Sequence, residues 1–235
     1  RDSSVTGVQT CALPIFKMLC SHPELLTTSA SKFTSMNGEG SSYAHELVDS
    51  GALDGITNSP KLDYLVQYIK EFLEQNETNK VVVFATYVDM LDKIEAALGA
   101  DICRKYSGKL DAKTKEENKI AFNTDPAVRV LISSDAGGYG VDLPAANLLI
   151  NYDLPWSSGS ATQRNGRIQR ASSTWPSIVI QDIIIAGSIE ERQWESLQHK
   201  SAVADAIIDG KGFDDKGGVP MSVESLRQFL TSSNV

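Results

Sequence analysis

Three arginines and two glutamines fall within the eight residues QRNGRIQR (163–170) of a chain whose formal net charge is -8. Arg164, Arg167 and Arg170 are spaced three apart, so on a helix Arg167 and Arg170 share a face and can reach one anion together. Guanidinium groups stay charged and fork onto phosphate oxygens, which suits the charge that develops during phosphoryl transfer. The alternative is a solvated basic helix surface that pairs with nearby carboxylates.

A glycine-rich segment, DAGGYGVDLPAAN (135–147), follows the apolar run VRVLISS (128–134). Its glycines would let backbone N–H groups approach a phosphate closely, and Asp142 could accept a hydrogen bond from a sugar hydroxyl. A Rossmann dinucleotide site is disfavoured because Pro144 and the next apolar run leave no room for the helix that such a site requires. A tight turn between two strands is the remaining alternative.

Both segments belong to a series of apolar runs that alternate with helical patterns. Runs rich in Val and Ile that alternate with helices predict an α/β fold with a mainly parallel sheet and helices on both faces. In such sheets, ligands collect beyond the carboxyl ends of the strands, where both segments are expected to lie. The predicted strands are 81–85, 102–107, 128–134, 147–153 and 177–186. The predicted helices are 60–75, 88–98, 112–122, 160–170 and 188–208.

The composition limits the kinds of site to expect. An acidic chain of 235 residues with a pI near 4.9 would bind a polyanion through a local patch rather than through its whole surface. Its three cysteines and three histidines show no C-x-x-C or H-x-x-x-H spacing, which indicates neither a disulfide framework nor a zinc site. No apolar run approaches the roughly 20 residues that span a bilayer. We therefore expect a cytoplasmic protein without a membrane partner.

The N-terminal quarter differs from the rest. Residues 5–15, VTGVQTCALPI, correspond to the translation of a common sequencing-library adapter, so we expect 1–15 to be an artefact that precedes a fragment of a longer chain. Residues 27–59 are rich in Ser, Thr, Gly and Asn and predict a linker or loosely packed arm, apart from a short helical pattern, YAHELVDSGAL. The predicted divisions are thus an artefact at 1–15, an arm at 16–59, the α/β domain at 60–210 and a tail helix at 211–235.

The two loops, read together, resemble a known family. SSDAGGYGVDLPAANLLINYDLPW followed by ATQRNGRIQR is similar to motifs V and VI of superfamily 2 helicases, most closely the Swi/Snf-type ATPases. VVVFATYVDMLDKIEAAL resembles motif IV with its helix, YSGKL a phosphate-contacting segment, and MLCSHPELL the stretch between the two ATPase lobes. The resemblance runs from about residue 17 to residue 230 and implies a RecA-like second helicase lobe with a short C-terminal helical extension.

The resemblance also implies roles for individual residues. Arg167 and Arg170 match arginine fingers that reach the γ-phosphate of ATP, Gln163 matches the residue that opens motif VI, and Asp142 matches a position facing the ribose. The implied nucleotide-contacting residues are Gly140, Asp142, Gln163, Arg167 and Arg170. The implied contacts to the nucleic-acid backbone, with double-stranded DNA as the expected partner, are Ser107, Lys109, Ser134, Gly137 and Gly138.

Two departures from the family pattern limit these expectations. Motif VI continues as RASS (170–173) where Swi/Snf-type members usually have Gly-Gln, which resembles phage and bacterial members and disfavours histone-directed remodelling. The phosphate-binding G-x-x-x-x-G-K-[ST] and the metal-binding acidic box of the first lobe are absent from this sequence. We therefore expect ATP and Mg²⁺ to require an N-terminal lobe, and this chain alone to be inactive. A scaffold that lost its first lobe and an RNA helicase lobe are the alternatives.

Overall fold

A computed structural model of the chain describes residues 4–35, 40–135, 141–169, 173 and 175–208, with side chains from residue 13 to residue 198. The predicted tail helix at 211–235 lies outside the described residues. The helices are α1 (Ser4–Ser21), α2 (Glu24–Ser35), α3 (Ser42–Asp49), α4 (Pro60–Gln75), α5 (Val88–Leu98), α6 (Ala112–Thr124), α7 (Ser158–Asn165) and α8 (Ile189–Ile208). The strands are β1 (Val81–Phe84), β2 (Cys103–Tyr106), β3 (Val130–Ser133), β4 (Leu148–Asn151) and β5 (Val179–Asp182).

The five strands form one parallel sheet in the order β2-β3-β1-β4-β5, which confirms the predicted fold class. Val81 of β1 is in register with Val130 of β3 and with Leu148 of β4, so the carboxyl ends of the three central strands lie side by side. These strands are buried along their whole length, as expected of a parallel sheet covered on both faces. A hydrophobic cluster lies on each face of the sheet.

Side chains outside helix α4 bind backbone groups at both of its ends. The Ser59 hydroxyl caps its first turn by accepting from the backbone N–H of Leu62, and Pro60 occupies the first helical position. Its last turn has no basic residue of its own. Instead, the guanidinium of Arg129 donates to the carbonyls of Leu73 and Asn76 at 2.8 and 2.6 Å.

The arm before the sheet is more ordered than the sequence predicts. Residues 24–35 form α2, although they were expected to belong to a linker, because Leu26 and Ala30 pack with Ile15 of α1 and Ala44 of α3 into a small core. Local composition is poor in strong helix formers here, so tertiary packing decides the conformation. Helix α3 coincides with the helical pattern seen in the sequence. The domain boundaries themselves remain predictions.

Within the part of the chain that the structure describes, no helix combines the length and the apolar composition needed to cross a membrane.

Candidate functional site

Helix α7 and the turn after it carry the arginine-rich segment. The Ser157 hydroxyl caps α7 by accepting from the backbone N–H of Ser160, and the helix ends at Asn165 with Gly166 as its C-cap. The predicted helix over 160–170 is therefore too long, since the helical spacing stops before Arg167. The argument that Arg167 and Arg170 share a helix face does not apply to this geometry, and Arg170 lies outside the described residues.

Arg164 is buried, and its guanidinium makes four hydrogen bonds. It is 3% exposed, and its guanidinium forms two parallel hydrogen bonds to the Asp135 carboxylate, of 2.7 and 2.8 Å. The remaining terminal nitrogen, Nη1, donates to the Asn151 side chain at 3.0 Å and to the Asp153 carbonyl at 2.7 Å. Arg164 thereby fastens α7 to the carboxyl ends of β3 and β4.

The same edge of the sheet contains a pocket of about 160 Å³. Its volume is below the ~300–1,000 Å³ typical of sites that enclose a small molecule, so it suits one anionic group of a larger ligand. Guanidinium and amide N–H groups are donors rather than metal ligands, which also fits an anion. The lining residues are Phe84, Asp135, Trp156, Ser160, Gln163, Arg164 and Arg167. The structure thus brings two of the predicted catalytic residues, Gln163 and Arg167, into one pocket.

The glycine-rich loop and the arginine-rich segment are in direct backbone contact. The N–H of Leu143 donates to the carbonyl of Arg167 at 3.0 Å, which sets the neighbouring Asp142 beside the turn that follows α7. Asp142 is exposed, and its own carbonyl accepts from the Asn123 side chain at 3.4 Å. Leu143 and Arg167 are 24 positions apart in the sequence, and the hydrogen bond between them brings the two segments together as predicted. Gly140 lies outside the described residues.

The predicted nucleic-acid contacts lie at the same carboxyl edge of the sheet, on its β2 side. Ser107 follows β2 and Ser134 follows β3, and the Ser134 N–H donates to the carbonyl of Tyr106 at 3.1 Å, so the two serines are neighbours. Both side chains are buried. Lys109 is exposed, and its ammonium lies 3.5 Å from the Asp89 carboxylate. Gly137 and Gly138 lie outside the described residues, so the structure brings together only part of this predicted surface.

A buried charge cluster next to the pocket was not predicted from the sequence. The ammonium of Lys61 lies 2.5 Å from the Glu190 carboxylate and 3.9 Å from that of Asp153, and all three side chains are buried. Burial raises the pKa of Glu190, and the charge of Lys61 opposes that shift. Asp153 also accepts from the backbone N–H of Thr86 at 2.8 Å. Sequence spacing gives no indication of this cluster because its members come from three distant segments.

Lys17 and Trp156 form a second feature that sequence reasoning missed. The Lys17 ammonium lies 3.3 Å from the centroid of the Trp156 ring, a cation–π contact. Burial lowers the pKa of Lys17 to about 8, against the raising effect of the Asp153 and Glu190 carboxylates. A small cavity beside the pair is lined by Lys17, Thr86, Tyr87, Asp153, Leu154, Trp156, Glu190 and Gln193.

Over the described ranges, no group of three or more His, Cys, Asp or Glu side chains is arranged to hold a metal ion.

Comparison with known proteins identifies the domain that contains this pocket. Residues 60–172 match the family described as "Helicase conserved C-terminal domain". The chain is 31% identical over 171 residues to the lymphoid-specific helicase of Homo sapiens, which covers 69% of this chain and 19% of that protein. It is 26% identical over 240 residues to the DNA repair and recombination protein RAD54B of Mus musculus, covering 92% of this chain and 26% of that protein.

A solved structure has the same fold. The crystal structure of the C-terminal part of the Fun30 ATPase domain superposes with a TM-score of 0.53 at 20% identity, covering 75% of this chain and 65% of that one. The likeness at this identity concerns the fold, a RecA-like parallel sheet. The chain spans about a fifth to a quarter of the length of the two helicase relatives, 19% and 26%, so it corresponds to one part of proteins of that kind.

Proposed function

We propose that this chain is the second lobe of an ATP-dependent DNA translocase or helicase of the Swi/Snf type, because residues 60–172 match the family described as "Helicase conserved C-terminal domain". The lobe contributes Gln163, Arg167 and Arg170 to ATP hydrolysis by a two-lobed parent. The observation that carries this proposal is the pocket in which Gln163 and Arg167 meet at the carboxyl edge of the sheet, with Arg164 and Asp135 holding its wall.

The chemistry of the pocket is electrostatic stabilisation. In phosphoryl transfer, charge accumulates on the oxygens of the γ-phosphate, and a positioned guanidinium stabilises that charge without itself reacting. Asp142, beside the Arg167 backbone, would accept a hydrogen bond from the ribose, and Gly140 would lie close to the nucleotide. Mg²⁺ and the cradle for the β- and γ-phosphates would come from an N-terminal ATPase lobe of the same protein, since this sequence lacks both motifs.

Nucleic acid would bind at the other part of the sheet edge. Ser107, Lys109, Ser134, Gly137 and Gly138 are proposed to contact the phosphate backbone of double-stranded DNA. Contacts of this kind carry little sequence information and depend on salt. Because the chain is acidic, binding by this lobe alone should be weak, and closure of two lobes around ATP would couple hydrolysis to movement along DNA.

Two alternatives from other classes remain testable. A non-catalytic scaffold domain would not depend on Arg167, whereas the proposed lobe does. In an RNA helicase, RNA would stimulate ATP turnover more than DNA does. The phage or bacterial character rests on RASS alone, whose residues 170–172 are outside the described part of the chain. The proposed cytoplasmic location rests on the cysteine spacing and composition instead.

The test is ATP turnover by the full-length protein that joins this lobe to its N-terminal lobe. Arg167→Ala should lower DNA-stimulated turnover by a factor on the order of 10³, within the range of an arginine finger, while ATP binding falls much less. Arg167→Lys should recover little, since an ammonium lacks the planar fork. Arg104→Ala is the matched control, because Arg104 donates to the carbonyls of Ala100 and Cys103 away from the pocket. Equal, minor losses for Arg167→Ala and Arg104→Ala would contradict the proposal.

The isolated chain gives a second test. It should show no ATP turnover above a buffer blank with Mg²⁺ and DNA, because it lacks the loop that cradles the phosphates. Turnover by this chain that survives Arg170→Ala would contradict the division of labour between the lobes.

A further inference from the structure

Helix α1 is attached to the sheet domain at its C-terminal end. There the Ser21 carbonyl accepts a hydrogen bond from the Tyr152 hydroxyl at 2.5 Å and from the Ser59 hydroxyl at 3.2 Å. Tyr152 follows β4 and Ser59 caps α4, so two separate segments define the position of this end of α1 relative to the carboxyl edge of the sheet.

Lys17 lies one turn before this attachment, and its ammonium contacts the Trp156 ring at the candidate site. The charged groups that act on it are two carboxylates and two cations. The Asp153 and Glu190 carboxylates favour its charge, while Lys61 and Arg164 oppose it. Burial is the largest influence on its pKa and also opposes the charge. A cation is therefore held against an aromatic ring at a place where desolvation works against it.

Trp156 is the residue that the two cavities share. On one side it lines the pocket with Gln163 and Arg167, and on the other it lines the small cavity that contains Lys17. The side chain is not part of the hydrophobic core, since the residue is 54% exposed. An indole that contributes little to core packing can still define the wall of a pocket, provided that something fixes its orientation.

We propose that Lys17 is a positioning residue: it fixes the Trp156 indole as the wall of the Arg167 pocket, so that docking of α1 sets the competence of the nucleotide site. The proposal rests on the proposed function, because it assigns the arm a role in the same site. The binding energy of α1 on the sheet domain is thereby coupled to ATP hydrolysis through the Trp156 side chain. When α1 is not docked, the orientation of the indole that lines the pocket is no longer fixed.

A double-mutant cycle in the full-length protein tests this coupling. Lys17→Met keeps much of the side-chain length and removes the charge, and Trp156→Leu removes the ring. Each single variant should lower kcat/KM for ATP about fivefold, within the range of a partly buried cation–π contact. The double variant should be no worse than Trp156→Leu alone, because Lys17 acts through Trp156. Lys17→Arg should retain activity, since a guanidinium also binds an aromatic face.

A direct readout of the contact is available in this chain. The indole N–H resonance of Trp156 can be assigned with Trp175→Phe and Trp194→Phe variants, and Lys17→Met should shift it. Lys32→Met is the matched control, because it removes a lysine of the same arm that pairs with Asp89 instead. Unfolding midpoints measured for every variant report any loss of the fold separately.

Two results would overturn the proposal. One is an indole resonance that responds equally to Lys17→Met and Lys32→Met. The other is losses in kcat/KM that multiply in the double variant, which would mean that Lys17 acts on the site by charge alone. Failure of the proposed function is distinguished by Arg167→Ala, which would then leave turnover intact whatever Lys17 does.

Discussion

Two sets of charged side chains lie near the carboxyl edge of the sheet, and their cations differ in burial. We call Lys61, Arg164, Asp135, Asp153 and Glu190 the interior network. The side chains of its two cations are 1% and 3% exposed, and each meets a carboxylate within 2.7 Å. A buried charge of this kind depends on its partners, because water cannot replace them.

The second set, which we call the surface cluster, consists of Lys109, Asp89 and Lys32. Asp89 lies 2.6 Å from the ammonium of Lys32 and 3.5 Å from that of Lys109, whose side chain is 66% exposed. Hydrogen bonding to Lys32 lowers the pKa of Asp89. Exposed pairs of this kind exchange readily with water and salt. The buried cations therefore maintain the geometry of the carboxyl edge, whereas the exposed cations can exchange their present partners for a polyanion.

The largest effect should come from breaking the interior network at Lys61. Lys61→Met leaves the buried carboxylates of Glu190 and Asp153 without their cation, and removal of one partner of a buried pair costs about 3–5 kcal/mol of unfolding free energy. Urea unfolding at neutral pH measures this loss. The loss should shrink as the pH falls, because Glu190, whose pKa is already raised by burial, then becomes protonated.

A compensating substitution sharpens that test. Lys61→Met combined with Glu190→Gln replaces the charged pair by neutral groups of similar size and should recover part of the lost stability. A double variant that is less stable than Lys61→Met alone would show that the pair is not the source of the effect.

The next effect should come from Arg164. Arg164→Lys keeps the charge, but an ammonium cannot make the paired hydrogen bonds to Asp135 and also reach Asn151 and the Asp153 carbonyl. We expect a loss of about 2 kcal/mol, since at least one buried acceptor is left without a donor. Thermal and urea unfolding measure it. Arg104→Lys is the control on a more exposed arginine and should change stability little.

Lys17 should give a smaller, pH-dependent effect. Its pKa is about 8 in the folded chain, against 10.5 for a lysine in water, so between these values the unfolded chain binds more protons and stability rises with pH. The contribution is complete above about pH 10.5 and is lost as the pH falls through 8. The difference in unfolding free energy between the wild type and Lys17→Met should therefore grow in favour of the wild type from about pH 7.5 upward.

Taking the difference between two variants removes the background of other titrations. Tyr87 and Tyr152 have raised pKa values, as does Cys103, at about 12, and these groups oppose stability in alkali in both proteins. A pH-independent difference would mean that the Lys17 environment is not the one described.

The smallest effect on stability should come from a substitution in the surface cluster. Lys109→Ala should change the unfolding free energy by less than ~0.5 kcal/mol, because exposed ion pairs contribute little. It should nevertheless weaken DNA binding and reduce the dependence of log K on log salt by about one unit. Lys113→Ala, which removes a still more exposed lysine on α6, is the control. Identical salt slopes for the two variants would remove Lys109 from the proposed DNA surface.

Patterns within single segments predicted most of the fold. The five strands and the helices that begin at Pro60, Val88, Ala112 and Ile189 follow the alternation of apolar runs, and the structure confirms them. Ser59 and Gly99 act at the helix ends where the sequence indicates, and Gly99 adopts a φ of 106° that few other residues tolerate. Helix α2 was missed because its stability comes from packing against α1 and α3 rather than from its own composition.

The candidate site was only partly predictable for a related reason. Motif spacing indicated Gln163, Asp142 and Arg167, and the structure brings these segments together. Spacing on an ideal helix does not reveal the structural role of Arg164. Helix α7 stops at Asn165, and the Arg164 guanidinium is buried in the protein. Lys17 and Trp156 are 139 positions apart, and only the tertiary structure reveals such a pair.

The contact of Arg129 with the end of α4 has a consequence for the order of folding. Carbonyls in the last turn of a helix lack partners within the helix, and here a guanidinium that immediately precedes β3 supplies them. That turn is therefore completed only when β3 has joined the sheet, more than 50 residues later in the chain. In hydrogen exchange, the last turn of α4 and the start of β3 should open as one cooperative unit, while the first turn of α4, capped locally by Ser59, opens independently.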